Sequence, residues 1–168
     1  MLARVTVLTT AIAAAACAAK PPPPVASPAA AACAPAKPSG YDPELAQRLG
    51  ADEHGMHRYV IAFLRAGPNR AQSAEEGKQL MQAHLANIVR LAEAGSLVVA
   101  GPFLDDGPLR GIYIFKVATM EEARALTATD PAIQAGRLEM ELHPWYGSAA
   151  LQEVNGLHKR LQQRSIVE

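Results

Sequence analysis

The sequence predicts an α+β fold, a ferredoxin-like βαββαβ sandwich, and three observations carry the expectation. Strand-like and helix-like stretches follow one another in that order between Met56 and Gly147, and two joined βαβ units place both helices on one face of an antiparallel sheet. Two capping boxes, Ser73 with Glu76 and Thr119 with Glu122, open the helices between the strands. Two strands are apolar on both faces: Tyr59, Ile61 and Phe63 oppose Val60, Ala62 and Leu64, while Tyr113 and Phe115 oppose Ile112 and Ile114. The helices cover one face only. Burying a large apolar side chain is worth roughly 1.5–3 kcal/mol, so the second face needs a cover. The segment Ala149–Glu168 is mostly polar, and a homodimer through the sheet face is therefore expected.

The chain of 168 residues suffices for one domain with a core. Its 16 basic residues balance 16 acidic ones and lie scattered, which argues against a nucleic-acid partner. Residues 1–17, MLARVTVLTTAIAAAAC, put one arginine before an apolar run that ends in small side chains. That is the layout of a secretory signal peptide, and the run is shorter than the ~20 apolar residues that cross a bilayer. Cys17 after Ala14-Ala15-Ala16 resembles a bacterial lipoprotein signal, although alanine stands where such signals usually carry leucine; ordinary cleavage after an A-x-A triplet is the rival. Residues 18–55 begin as an Ala/Pro-rich tether, extended and semi-stiff because proline fixes φ and lacks an amide donor. The expectation is export to the cell envelope or periplasm, with membrane contact only through a lipid on Cys17. Cys33 lies in the tether without a catalytic context. Asp42 and Pro43 can open one short helix before Gly55.

The domain expected over residues 56–147 starts with a strand at Tyr59–Leu64, closed by Gly67-Pro68. After the Ser73 cap, Leu80, Met81, Leu85, Ile88, Leu91 and Ala92 repeat at helical spacing up to the Gly95 stop. Leu97–Ala100 reads as the second strand, Gly101–Gly111 as a loop and Ile112–Val117 as the third strand. A helix follows from Thr119 through Leu126, and Asp130-Pro131 caps a further short turn that Gly136 ends. Leu138, Met140 and Leu142 alternate with Glu139, Glu141 and His143 as a strand with one wet face, ended by Pro144–Gly147. In the tail, 148–168, Leu151, Val154, His158 and Leu161 stand at helical spacing.

His84 shares a helix face with Leu80 and Ile88, so it points toward the core. A titratable imidazole aimed there is either a packed, satisfied histidine or the start of an active site. Asp130 before proline is a good helix cap whatever else it does. Asp105 and Asp106 suit a turn, and Arg110 can pair with one of them at the surface. The sequence has no GxSxG elbow, no Gly-rich dinucleotide fingerprint and no Cys/His cluster with metal spacing, so neither cofactor nor metal is expected.

His84-Leu85, the Gly95 stop, Ala100-Gly101-Pro102-Phe103, Asp105-Asp106-Gly107, Arg110-Gly111, Glu122-Ala123, Asp130-Pro131, Ala135-Gly136 and Pro144-Trp145 together resemble the YCII-related (YciI-like) family. The resemblance covers Met56 to about Gly147 and leaves the signal and tether outside it. It implies a dimeric α+β barrel with a histidine–aspartate pair at a pocket. The histidine falls on His84; the aspartate falls first on Asp130 and second on Asp105 or Asp106. Asp105, Asp106 and Arg110 are the candidate substrate-binding residues. A few relatives act on small ring compounds, including a dehydrochlorinase of chlorinated hydroxyquinols. The function this implies is a small-molecule enzyme of lyase, isomerase or dehydrochlorinase type, since a carboxylate-held imidazole suits proton abstraction from an activated carbon; its expected export rests on the signal-like N-terminus and not on the family. The alternative is a non-catalytic ligand-binding or envelope-associated dimeric module.

Overall fold

A computed structural model describes residues 40–168; the signal, Cys17, Cys33 and most of the tether lie outside the described residues. The elements are α1 (Pro43–Arg48), β1 (Met56–Ala66), α2 (Ala74–Glu93), β2 (Leu97–Pro102), β3 (Leu109–Phe115), α3 (Met120–Thr127), α4 (Pro131–Gln134), β4 (Leu138–Ser148), a 3-10 turn (Ala149–Glu153) and α5 (Val154–Leu161). The four strands form one antiparallel sheet in the order β2-β3-β1-β4, the ferredoxin-like arrangement. Both capping boxes form in full: the Ser73 and Thr119 hydroxyls accept from the Glu76 and Glu122 amides, and each glutamate reaches back to its cap residue.

Helices and sheet meet over one core. Val60, Ala62 and Leu64 from β1, Tyr113 and Phe115 from β3, Leu91 from α2 and Ala123 from α3 are buried together. The opposite sheet face carries a smaller cluster of Tyr59, Val98 and Ile114. Along β2, Leu97 faces the helix side while Val98 and Val99 both pack on the other, because a bulge between Leu97 and Val99 breaks strict alternation.

Several boundaries differ from the sequence reading. The fourth strand does not stop at Pro144 but runs to Ser148, pairing with β1 as far as Met56. It can do so because β4 is an edge strand, where proline can turn its donorless nitrogen away from the ladder. The third strand begins at Leu109 and ends at Phe115, so the glycine-bracketed loop shrinks at both ends. Gly111 permits the crossing there: a Cβ on it would lie 2.5 Å from the Gly101 carbonyl oxygen.

The tail packs on its own chain. Leu151 lies against the second-face cluster, Asn155 Nδ2 donates to the Leu97 carbonyl at 2.7 Å, and Gln152 Nε2 donates to the Leu49 carbonyl at 2.6 Å. One apolar side chain is enough to cover one end of the sheet, although the segment as a whole is polar. Ile61, Phe63 and Ile112, farther along the same face, stay half-buried.

The loop after β1 approaches the end of α4 closely. Gly67 N donates to the Arg137 carbonyl at 2.9 Å and Asn69 N to that of Gly136 at 3.0 Å. A Cβ on Gly67 would sit 2.3 Å from the Gly136 carbonyl oxygen, so Gly67→Ala forces the backbone apart. It should cost about 1–3 kcal/mol in urea-induced unfolding, whereas Gly101→Ala, with nothing within 4 Å of its Cβ, should change stability little.

Candidate active site

His84 lies in the middle of α2 on the stripe that includes Ile88 and Leu91, and the helix turns it inward until it is 7% exposed. Asp130 reaches it from the other side of the helical layer. This aspartate is the N-cap of α4 and has no exposed surface. An ionised carboxylate in such a place is costly unless its oxygens are matched. Both are: Oδ1 accepts from the Ala132 amide at 2.9 Å, and Oδ2 lies 2.7 Å from His84 Nδ1. Capping and pairing are thus not rival readings of Asp130, because one oxygen serves each.

The carboxylate fixes the tautomer. An ionised aspartate only accepts, so in the neutral ring Nδ1 carries the hydrogen and Nε2 keeps its lone pair. The Tyr113 hydroxyl lies 3.3 Å from Nε2, and toward that lone pair it is the donor. Its ring is roughly parallel to the imidazole, 20° between planes and 6.1 Å between centroids. Burial pushes the pKa of Tyr113 well above its ordinary value, and the negative charge of Asp130 pushes it the same way. The hydroxyl therefore stays a donor.

A second polar lock holds the segment ahead of Asp130 against α2. Arg90 Nη2 donates to Asn87 Oδ1 at 2.6 Å and to Thr129 Oγ1 at 2.8 Å, and the Thr129 hydroxyl also reaches Asn87 Oδ1 at 3.2 Å. Thr129 precedes the aspartate directly, so this network sets where the carboxylate enters the core.

His84 and Tyr113 open onto a cavity of about 520 Å³ between α2 and the ends of β2 and β3, within the usual range for a small-molecule site. Arg70, Arg110 and Arg137 line it as well, beside an apolar wall that includes Leu64, Leu85 and Leu138. Of the residues singled out in the sequence, His84 and Asp130 come together, and Arg110 stands on the cavity wall. Asp105 and Asp106 are exposed on the loop between β2 and β3, outside the lining. Arg110 donates to the Gly107 carbonyl at 3.2 Å and has no ion pair with either of them.

Three cavity residues were not expected from the sequence: Tyr113, Arg70 and Arg137. Tyr113 had a signal, since a tyrosine on the core face of a strand needs a partner for its hydroxyl. The two arginines sit in loops on either side of the Gly67–Gly136 contact, and no periodicity reports their meeting.

Comparison with known proteins gives a match between residues 61–146 and the YCII-related domain. No curated protein matches the chain. Among solved structures, the chain is similar to 5-chloro-2-hydroxyhydroquinone dehydrochlorinase from Burkholderia phenoliruptrix AC1100 in complex with 2,5-dihydroxybenzoquinone. The identity is 21%, the match covers 51% of this chain and 92% of that one, and the TM-score is 0.40.

Tyr113 makes the site's contribution to stability measurable at high pH. Up to about pH 10 a tyrosine is protonated in both folded and unfolded chains. Above that, the unfolded chain releases the proton while buried Tyr113 keeps it, so the unfolded state gains and stability falls as pH rises. Tyr113→Phe removes this contribution. The parent should lose unfolding free energy between pH 10 and 11 faster than the variant, by at most about 1.4 kcal/mol per pH unit. At neutral pH the variant should be roughly 1 kcal/mol less stable through loss of one hydrogen bond. Equal alkaline slopes would mean that the hydroxyl reaches water.

Proposed function

This chain belongs to the YCII-related domain family, and on that premise we propose that it is a small-molecule enzyme in which His84 acts as general acid and base, positioned by Asp130. The observation that carries the reading is the hydrogen-bond order Asp130–His84–Tyr113 at the wall of a cavity. It leaves Nε2 as the nitrogen able to take a proton. A ligand C–H bond breaks, its electron pair stays on the ligand, and the proton moves to Nε2. The imidazolium formed is balanced by the Asp130 carboxylate. In an elimination the pair left on carbon expels a leaving group from the neighbouring carbon; in an isomerisation Nε2 returns the proton to another carbon. Tyr113, kept neutral, turns its hydroxyl toward the oxygen on which charge develops, releasing Nε2 as it does so. Lyase, isomerase and dehydrochlorinase chemistry all use this step.

The proposal extends to assembly and place. The half-buried apolar residues Ile61, Phe63 and Ile112 support a homodimer through the uncovered part of the sheet, and the signal-like Met1–Ala16 with Cys17 supports an exported, lipid-anchored chain. Phe63→Asp should shift sedimentation of the parent dimer to the monomer; a parent that is monomeric at every concentration would remove the dimer from the account.

Solvent-deuterium exchange tests the chemistry without a known substrate. A panel of small ring compounds with one activated C–H is incubated with the protein in D₂O and followed by proton NMR. At least one should exchange, and His84→Asn should slow that exchange by about 10²–10⁴, the usual worth of a positioned acid–base group. A folded His84→Asn protein that exchanges the same compound at the parent rate would make His84 a structural residue.

A further inference from the structure

We propose that the cavity beside His84 binds a small organic acid, with Arg70, Arg110 and Arg137 as the ligands of its carboxylate. This deepens the acid–base reading and rests on it only for the claim that the acid is a substrate.

Arg48 pairs with Glu153, Arg65 with Glu141 and Arg124 with Glu121, and Arg90 is held by Asn87 and Thr129. The three on the cavity wall have no carboxylate partner among the described residues, as Arg58, Arg160 and Arg164 elsewhere have none either; what sets the three apart is that they share one cavity that no aspartate or glutamate lines. Converging on one concave surface, they raise the local positive potential.

Arg137 is the most informative of the three. It is half-buried, and its Nη1 donates at 3.1 Å to a neutral acceptor, Gln72 Oε1. Gln72 thereby uses its carbonyl oxygen, and its buried Nε2 has no acceptor among the described residues. Gln72 is not itself on the cavity wall; its part is to hold one end of the Arg137 guanidinium. The guanidinium is also fixed in place: it lies along α2 over Gly77, where a Cβ would stand 3.5 Å from Nη2. A planar, immobilised guanidinium with spare donors matches a carboxylate in two parallel hydrogen bonds and loses little entropy on binding.

The rest of the wall selects the body of the ligand. Leu64, Leu85 and Leu138 offer apolar surface that an inorganic anion would not use. The volume of about 520 Å³ suits a single ring or short chain, with its carboxylate at the arginines and its body along the wall that also holds His84 and Tyr113.

Calorimetric titration of the full chain with benzoate, benzamide and inorganic phosphate tests this. Benzoate should bind, with benzamide at least about tenfold weaker, equivalent to ~1.4 kcal/mol. High salt should weaken benzoate binding. Arg70→Gln and Arg110→Gln change exposed side chains and should keep the fold while weakening benzoate; Arg137→Lys keeps the charge but loses the paired donors, and should weaken it too. His84→Asn should still bind benzoate. Equal binding of benzoate and benzamide, or benzoate affinity unchanged in Arg70→Gln and Arg110→Gln, would overturn the proposal. Phosphate binding with that arginine dependence and no benzoate binding would overturn it as well, in favour of an inorganic anion site. The two readings fail separately: lost exchange in His84→Asn without benzoate binding sinks only the organic acid, and benzoate binding with unimpaired exchange in His84→Asn sinks only the acid–base role.

Discussion

A carboxylate with no exposed surface sits at the centre of this molecule, and the helical layer is arranged around matching it. Asp130 opens a helix of only four residues, too short to hold itself by its own hydrogen bonds. Its cap supplies one tie to the short turn and its histidine the other. Removing either partner would leave a buried acceptor on a charged group, a larger loss than an ordinary hydrogen bond. The same two bonds that let the chain turn from α3 toward β4 also orient an imidazole. Local folding and site geometry are here one constraint.

The consequence for chemistry follows from where the charges lie. Asp130 stands behind His84, and no acidic residue lines the cavity in front. In front of the ring is a neutral tyrosine hydroxyl, and three arginines line the same cavity. In the proposed acid–base role a proton arriving at Nε2 would be balanced from behind, and an anion in the cavity would meet the arginines. The separation depends on the sheet. β3 delivers Tyr113 from the helix-facing side and Arg110 from its start, and the close approach of Gly67 to Gly136 brings Arg70 and Arg137 to the same rim.

Much of this was legible in the sequence because it is written in local patterns. Ser73 with Glu76 and Thr119 with Glu122 announce helix starts by their spacing alone, and the inward aim of His84 follows from Leu80 and Ile88 on either side. Asp130 was legible as a cap for the same reason. Its pairing with His84 came only from the family resemblance and not from local pattern, because contact with a residue 46 positions away depends on tertiary packing. Tyr113 read as one more β-former. Arg70 and Arg137 lie in irregular chain, where no period exists to read. Pro144 looked like a strand end because a breaker in sequence does not reveal whether its strand lies at the sheet's edge. The role of Leu151 against the second face was hidden by the mostly polar composition of the tail.

The central claim is that Asp130 holds His84 in one tautomer, with the hydrogen on Nδ1 and the lone pair of Nε2 toward Tyr113 and the cavity. Long-range proton–nitrogen correlation NMR of the neutral imidazole at alkaline pH measures this directly. A protonated-type nitrogen shift is expected at Nδ1 and an acceptor-type shift at Nε2, with the pattern reversing when Asp130 is replaced by asparagine, whose oxygen keeps the Ala132 amide while its amide nitrogen donates to Nδ1. A folded parent protein whose His84 carries its hydrogen on Nε2, or averages the two forms as a free histidine does, would contradict it.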